Sequence, residues 1–392
     1  MRSAVIVDIV RTPSGKGKPG GALSGVHPVE MLATVLRSLA ERNNLDPAQI
    51  DDVITGCVGQ AGQQALNIGR NGVLAAGWPE SVPATTIDRQ CGSSQQAAHF
   101  AAQGVVAGAY DIVIAAGVES MSRVPMGSAT MGEDVYGPSI AQRYPGGLIG
   151  QGVSAELIAR KWGLSRERLD EYSARSHRLA AETARSGGFD NEIVPVQATD
   201  GLVTADETIR PMTTVEGLAE LRPAFDTPDM RERYPDLDWR ITAGNSSPLT
   251  DGASAALIMG EDTAEKLGLR ARARFHAFAL AGDDPLLMLT APIPATRKVL
   301  DRAGLSIDEI DAYEVNEAFA PVPLAWLAEL GGDLEKLNPR GGAIALGHPL
   351  GASGTRLMAT LLNYLEATGG RYGLQTMCEG GGLANATIIE RL

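Results

Sequence analysis

Apolar positions in the first part of the chain follow two alternating patterns. Short apolar runs with strand character are separated by longer stretches whose apolar residues recur every three or four positions. This alternation is typical of an α/β sheet covered by helices. The predicted elements are a strand (residues 4–10), a helix (29–43), a strand (52–58), a helix (67–77), a strand (84–87), a helix of small residues (93–108) and a strand (111–116).

The last third of the chain repeats this rhythm. In both parts a glycine-rich turn precedes a helix of small residues and an apolar strand. Two copies of one such unit, packed face to face, would bring the two turns to a shared centre. The predicted elements are a strand (272–280), a helix (293–303), a strand (311–315), a helix (319–330), a glycine-rich loop (341–351), a helix of small residues (352–367) and two strands (372–377 and 386–391).

The middle of the chain breaks the rhythm. It is rich in Met, Gly, Arg and acidic residues and contains one clear amphipathic helix at 165–185. We interpret it as an insertion that forms a cap or loop domain. The predicted domains are therefore an N-terminal half (1–118 and 245–270), a loop domain (119–244) and a C-terminal half (271–392).

Composition narrows the function classes. The formal net charge is -13 and no block of Lys or Arg occurs, so we expect no nucleic-acid partner, which would require a basic face. No apolar run reaches the length of a membrane span, and no signal-peptide pattern opens the sequence, so we expect no membrane association. Three cysteines, an odd number, favour a reducing compartment. The expected location is the cytoplasm.

Cys91 is the first candidate for chemistry. It stands in Asp-Arg-Gln-Cys-Gly-Ser-Ser (88–94), just before a predicted helix, where unpaired backbone N–H groups and the helix dipole favour a thiolate. The alternative is a buried structural cysteine, which is our interpretation of Cys57. Gly92 lets a substrate approach the backbone closely, and this favours a reactive role for Cys91.

His348 is the second candidate. It lies in a run rich in Gly, Ala and Ser (341–354), between Gly347 and Pro349, so its ring sits on a tight turn. The remaining histidines are interpreted as surface or satisfied core residues. No metal-ligand spacing occurs, and we predict no metal site. These remaining histidines are His27, His99, His177 and His276.

A second cysteine and an asparagine complete the set. Cys378 leaves an apolar strand and enters three glycines, whose free N–H groups suit an oxyanion; the alternative is a β-bulge with a buried thiol. Asn316 follows the strand at 311–315, and its alternative role is a helix cap. Two thiols and an imidazole held by tight turns suit the making and breaking of thioesters, which indicates acyl transfer.

Together these segments resemble the thiolase family. Cys-Gly-Ser (91–93), Asn-Glu-Ala-Phe (316–319), Gly-His-Pro-Leu-Gly (347–351) and Cys-Glu-Gly-Gly-Gly (378–382) occur in the order and at the spacing of that family. The resemblance implies a thiolase fold, an α/β fold of two similar halves in five α-β-α-β-α layers with an inserted loop domain. It also implies a homotetramer built as a dimer of dimers.

The resemblance further implies a role for each reactive residue. Cys91 becomes the acylated nucleophile and Cys378 the acid/base thiol. His348 activates Cys91 and lines an oxyanion hole in which Asn316 holds a water. Backbone N–H groups of Cys91 and Gly380 form a second hole. The partners are coenzyme A and acyl-CoA thioesters, with coenzyme A as a substrate and no metal or redox cofactor.

Contacts to coenzyme A are also implied by resemblance. Thr-Ala-Gly-Asn-Ser-Ser (242–247) resembles the family's pantetheine segment, and an arginine occurs where the family places one near the adenine. The alternatives are a glycine turn, a solvated arginine and ordinary core packing. The implied contact residues are Ser247, Ala243, Gly244, Arg210, Ala318, Phe319 and Met288.

Two departures from the family refine the expectation. Biosynthetic members carry a histidine where this chain has Gly150, and the lost ring opens space as in degradative members that accept larger acyl chains. The charged extension at 226–240 is longer than usual and either shapes the entrance or is a plain surface loop. We expect a degradative 3-ketoacyl-CoA thiolase resembling actinobacterial enzymes of fatty-acid and steroid breakdown, with a bulky or ring-derived acyl group.

Three alternatives remain open at this point. The chain could be an acetoacetyl-CoA thiolase that acts in condensation. It could be a non-catalytic acyl-CoA-binding or lipid-binding protein on the same scaffold, although all three reactive side chains are present. A ketosynthase would normally carry a second histidine where this chain has Cys378, which argues against that function.

Overall fold

The computed structural model describes residues 2–392 and divides the chain into two similar parts around an insertion. The part before the insertion contains β1 (Ala4–Arg11), β2 (Gly15–Lys16), α1 (Pro28–Arg42), β3 (Asp52–Gly56), α2 (Ile68–Ala75), β4 (Ala84–Ile87), α3 (Ser93–Ala107) and β5 (Ile112–Ser120). The insertion contains α4 (Gly137–Arg143), α5 (Gln151–Lys161), α6 (Arg166–Arg185), β6 (Val196–Ala198), β7 (Gly201–Val203), α7 (Val215–Ala219) and α8 (Pro228–Arg233).

The part after the insertion begins with a strand that returns to the first sheet. Its elements are β8 (Thr250–Gly260), α9 (Glu261–Leu267), β9 (Ala273–Gly282), α10 (Pro292–Ala303), β10 (Ala312–Val315), α11 (Pro321–Leu330), α12 (Ala343–Leu346), α13 (Ser353–Thr368), β11 (Tyr372–Glu379) and β12 (Leu383–Arg391).

The strand order shows the repeat directly. The first half runs β1-β8-β5-β3-β4, and the second half runs β9-β12-β11-β10. In each half an inner parallel pair, β5 with β3 or β11 with β10, is followed by two antiparallel neighbours. Antiparallel pairing of β1 with β9 joins the halves into one ten-stranded sheet, in which β2 pairs with β8.

The chain forms five layers with three apolar cores between them. Two cores lie under the outer helices, and the third surrounds the central helices on both faces. Helices α1 and α2 cover the outer face of the first half, and α10 and α11 cover the outer face of the second. Between the halves, α3 packs against α13 through small and medium side chains such as Ala98, Ala101, Met358 and Leu362. A helix that is covered on both sides must carry apolar or small residues all round. This explains why α3 and α13 are rich in small residues. The predicted fold class, two similar α/β halves in five layers with an insertion, is confirmed.

The prediction of a loop over the whole of 341–351 was wrong, because this segment contains the short helix α12. Gly150 is the N-cap of α5. The structure also excludes two of the alternative roles considered for the site residues. Asn316 caps no helix, since the N-cap of α11 is Ala320. Pairing of Cys378 with Ala384 is regular, so the thiol does not sit in a β-bulge. The domain limits 118, 244 and 270 stay a prediction.

One negative finding concerns membranes. Within residues 2–392, no helix combines the length and the apolar character needed to cross a bilayer.

Candidate active site

Cys91 lies in the tight turn that leads from β4 into α3. Gln90 before it has a left-handed φ of 48°, and Gly92 after it is the N-cap of α3. The thiol is 7% exposed and lines a cavity of about 800 Å³. Its sulfur is therefore buried in the protein yet open to a ligand in that cavity.

His348 sits in the matching turn before α13, and its ring is held from both nitrogens. Nδ1 lies 2.6 Å from Ser353 Oγ, whose hydroxyl donates to the carbonyl oxygen of Pro349 at 2.8 Å. Because that hydroxyl proton is already used, Oγ accepts from Nδ1–H. Nε2 then carries the lone pair and lies 3.3 Å from Asn316 Nδ2. The network thus assigns the tautomer that can accept a proton at Nε2.

The backbone around His348 is equally constrained. Its N–H donates to Thr250 Oγ1 at 3.0 Å, and Gly347 has a φ of 81° with its Cα packed against Thr250. Burial, with a smaller contribution from the positive charge of Arg356, lowers the pKa of His348 to about 3. The imidazole is therefore neutral at physiological pH and free to act as a base.

Asn316 lies at the end of β10, where its backbone N–H donates to Thr376 O at 3.1 Å. Its side chain is buried, and Oδ1 has no hydrogen-bond partner among residues 2–392. Buried amide oxygens are normally paired, often with an ordered water. This geometry fits the implied water-holding role, which stays a prediction.

Cys378 lies near the end of β11 and is 1% exposed. Burial raises the pKa of its thiol well above the ordinary value, and a negative charge on Cys91 raises that pKa further. Burial, and then the charge of Glu379, raises the pKa of Cys91 to about 12. Both side chains therefore rest as thiols.

The turns of the two halves meet at the cavity. A Cβ atom at Gly380 would lie 2.9 Å from Gln90 Oε1, so the two turns are in contact. Cys91 and Gly380 both line the cavity, and neither backbone N–H donates a hydrogen bond to another residue within 2–392. Leu350, two residues after His348, packs in one apolar cluster with Cys91. The two free amides match the implied second oxyanion hole.

Part of the implied coenzyme A segment lies beside the strand-end loop that carries Asn316. Ser247 N–H donates to the carbonyl oxygen of Ala318 at 3.0 Å, and Ser246 pairs with Phe319. Gly244 is buried against Leu218, where a Cβ atom would lie 2.5 Å from that side chain. Ser247, Ala318 and Phe319 are therefore brought together by backbone pairing.

The other implied contact residues are spread more widely. Met288 lines the cavity with a left-handed φ of 45°, an uncommon conformation for a residue with a side chain. Ala243 and Arg210 are exposed, and neither lines the cavity. Arg210 donates its backbone N–H to His177 Nδ1 at 3.1 Å. Their proposed contacts to coenzyme A stay predictions.

The structure adds residues that the sequence analysis missed. Apolar side chains of the insertion form one wall of the cavity, and three of them are largely exposed, Met126 at 56%, Val135 at 61% and Tyr136 at 49%. The available signal was a scatter of apolar residues without helical or strand period. The apolar wall residues from the insertion are Val124, Met126, Val135, Tyr136 and Ile149.

No group of three His, Cys, Asp or Glu side chains in the described part of the chain is arranged to hold a metal ion.

Comparison with known families shows to which family the chain belongs. The family model described as thiolase, N-terminal domain, matches residues 4–262, and the model described as thiolase, C-terminal domain, matches residues 269–391. The chain belongs to the thiolase family.

Relatives of this thiolase are similar along the full chain. It is 50% identical over 400 positions to the steroid 3-ketoacyl-CoA thiolase FadA6 of Mycobacterium tuberculosis, with 100% of this chain and 95% of that protein covered. It is 44% identical to the 3-ketoacyl-CoA thiolase of Aliivibrio fischeri, with both chains fully covered. The Bacillus anthracis acetyl-CoA acetyltransferase superposes with a TM-score of 0.89 at 37% identity, over 100% of this chain and 99% of that one.

Proposed function

We propose that this thiolase is a degradative 3-ketoacyl-CoA thiolase, an acetyl-CoA C-acyltransferase. It uses coenzyme A to cleave a 3-ketoacyl-CoA into acetyl-CoA and a shortened acyl-CoA. Relatives with this name are 44% and 50% identical over the whole chain. The observation that carries the proposal is the position of Cys91, whose thiol opens into the cavity beside the unpaired N–H groups of Cys91 and Gly380.

Acylation is the first half of the reaction. His348 Nε2 takes the proton of Cys91, and the resulting thiolate attacks the 3-keto carbon of the substrate. The bond between C2 and C3 breaks, and its electron pair becomes the enolate of acetyl-CoA. Protonated His348 and the water on Asn316 stabilise the enolate oxygen. Cys378 then gives its proton to C2, and acetyl-CoA leaves.

Deacylation restores every group. The Cys378 thiolate takes the proton of the incoming coenzyme A thiol, which attacks the acyl carbonyl on Cys91. The oxyanion that forms binds to the N–H groups of Cys91 and Gly380. Cys91 leaves as a thiolate and regains its proton from His348. No metal or redox cofactor takes part in the proposed cycle.

A thiolysis screen tests the function. Acetyl-CoA release is measured with acetoacetyl-CoA and with long, branched and ring-bearing 3-ketoacyl-CoA substrates. We expect turnover of the larger substrates by the wild type and none by Cys91→Ala. A clear preference for acetoacetyl-CoA would support the acetoacetyl-CoA thiolase instead. Retained activity in Cys91→Ala would refute the nucleophile, and an inert wild type whose Cys91 resists iodoacetamide would support a non-catalytic binding protein.

The acyl group is proposed to be bulky or ring-derived. Gly150 lines the cavity, and a Cβ atom placed there would meet nothing within 4 Å. The apolar wall from the insertion adds to this space. The name of the Mycobacterium tuberculosis relative, a steroid 3-ketoacyl-CoA thiolase, points in the same direction.

Assembly and location complete the proposal. We propose a homotetramer, on the family resemblance, and its test is the mass in solution by light scattering. We propose a cytoplasmic location because the three cysteines, Cys57, Cys91 and Cys378, are all unpaired. Ser247, Ala318, Phe319 and Met288 are proposed to contact coenzyme A, with Ala243, Gly244 and Arg210 further out.

A further inference from the structure

Glu379 is a buried carboxyl that the proposed steps do not use. It is the last residue of β11, directly after Cys378, and is 0% exposed. Neither of its carboxylate oxygens has a hydrogen bond of normal geometry within residues 2–392, and only the backbone N–H of Asn385 contributes a weak interaction that lowers its pKa. A buried, unpaired carboxyl costs free energy, and this cost argues for a role beyond filling space.

The carboxyl lies against the turn that presents Cys91. Alternate residues of a strand share a face, so Glu379 lies on the same face as Met377, which packs with Cys91. A Cβ atom at Gly92 would overlap Glu379 Oε1 and lie 2.7 Å from Asn385 Nδ2. That same Nδ2 donates to the carbonyl oxygen of Gly92 at 2.9 Å. Glycine at position 92 therefore makes the room that this carboxyl occupies.

Four other charged or titratable groups interact electrostatically with the Glu379 carboxyl or the Cys91 thiol. Asp88 and Arg89 come from the loop before Cys91, and Cys378 is the neighbour of Glu379 in sequence. Glu119 comes from β5, and its carboxylate accepts three backbone N–H groups, from Val58, Gly59 and Gly351, and one from Gln64 Nε2. Among these charges, that of Glu379 raises the pKa of Cys91 most, after burial itself.

Glu379 changes charge in a useful pH range. Burial is the largest cause that raises the pKa of its carboxyl, to about 8, and Arg89 opposes it. The carboxyl is thus mainly neutral at pH 7 and becomes negative above pH 8. A neutral carboxyl leaves the Cys91 thiolate unopposed, whereas a carboxylate repels it.

We propose that Glu379 is a positioning residue for acyl transfer: wedged against the Cys91–Gly92 turn, it acts through Cys91, and its ionised form opposes the negative charge of the Cys91 thiolate. Cys91 must form a thiolate both when it attacks and when it releases the acyl group. Ionised Glu379 thus opposes a step in both halves of the reaction. The link to acyl transfer rests on the proposed function, but the effect on Cys91 does not.

Alkylation of Cys91 tests this without turnover. Iodoacetamide labelling of the Cys91 peptide is followed by mass spectrometry from pH 6.5 to 9.5 in the wild type and in Glu379→Gln, a neutral isostere. We expect equal rates at pH 6.5 and a rate about tenfold higher in the variant at pH 9.5, since the repelling charge is gone. A ratio that stays constant across this range would overturn the proposal, because it would show that Glu379 only fills space.

Two controls keep the test decisive. Asp88→Asn removes an exposed carboxyl at the cavity mouth that acts on Cys91 less than Glu379 does, so its rate at pH 9.5 should rise by clearly less than that of Glu379→Gln. If Glu379→Gln does not fold, the wild type alone still tests the idea. The logarithm of its Cys91 rate should rise with pH, flatten near pH 8 and rise again, and a straight line through pH 8 would overturn the proposal. Because labelling needs no substrate, its outcome is independent of the thiolysis screen.

Discussion

His348 Nδ1 lies 2.6 Å from Ser353 Oγ, and this contact decides which nitrogen of the imidazole carries the lone pair. The Ser353 hydroxyl donates its proton to the carbonyl oxygen of Pro349, so its oxygen accepts the hydrogen bond from Nδ1–H of His348. Nε2 remains as the base beside Asn316. A serine five positions along the chain, at the first turn of α13, therefore orients the nitrogen that we propose accepts the proton of Cys91.

Ser353→Ala should slow the reaction by releasing that orientation. Without the hydroxyl, Nδ1–H loses its acceptor and the other tautomer becomes accessible. We expect kcat to fall by about 10- to 100-fold, less than the roughly 100- to 10,000-fold of losing a general base outright because the imidazole itself is retained, with KM little changed. Steady-state thiolysis kinetics measure this. Ser353→Thr, which keeps the hydroxyl, should restore most of the activity, and wild-type kcat in Ser353→Ala would contradict the assigned tautomer.

Asn316→Asp should move the acid limb of the pH profile. The pKa of His348 is lowered to about 3, so in the wild type its protonation does not limit activity at mildly acidic pH. A carboxylate 3.3 Å from Nε2 would favour the imidazolium and raise that pKa. We expect kcat/KM of the variant to fall at a higher pH than in the wild type.

Asn316→Ala is the matched control for this experiment. It removes the amide without adding charge, so it should lower kcat/KM at every pH and leave the acid limb in place. The assignment of His348 as the base would fail if the limb of Asn316→Asp coincided with that of Asn316→Ala.

Gly150→His should narrow the acyl specificity. The added ring would project into the open part of the cavity, since a Cβ there meets nothing within 4 Å. We expect thiolysis of a ring-bearing 3-ketoacyl-CoA to fall by about tenfold or more, the effect of overfilling a packed site, while acetoacetyl-CoA is still cleaved. Gly150→Ala should behave as the wild type. Equal loss with both substrates would show that position 150 does not select acyl size.

Most helices and strands of the two halves could be predicted because their apolar residues recur with the spacing of a helix or a strand. Helices α3 and α13 were predicted within two residues. Strand β8 was missed, since it is buried on both faces and its small residues show no alternation. The short helices α7 and α8, of 5 and 6 residues, depend on tertiary contacts rather than on their own propensity.

The reactive residues were predictable for a different reason. Cys91 and His348 stand in tight turns with glycine neighbours, and Cys378 lies at the end of a strand just before three glycines. Ser353 and Glu379 carry no such signal. The role inferred for Glu379 arises from a contact with Gly92, a residue remote in sequence, and only the packing of the two halves reveals it.

Trapping the covalent intermediate shows directly whether Cys91 is the nucleophile that carries the acyl group. The enzyme is mixed with a 3-ketoacyl-CoA in the absence of free coenzyme A, digested at acidic pH and mapped by mass spectrometry. The account predicts one equivalent of acetyl-CoA and an acyl group on the Cys91 peptide, which disappears when coenzyme A is added. An acyl group on Cys378 or Cys57 instead of Cys91 would contradict this role of Cys91. So would an enzyme that cleaves the substrate when coenzyme A is present but never shows an adduct at Cys91.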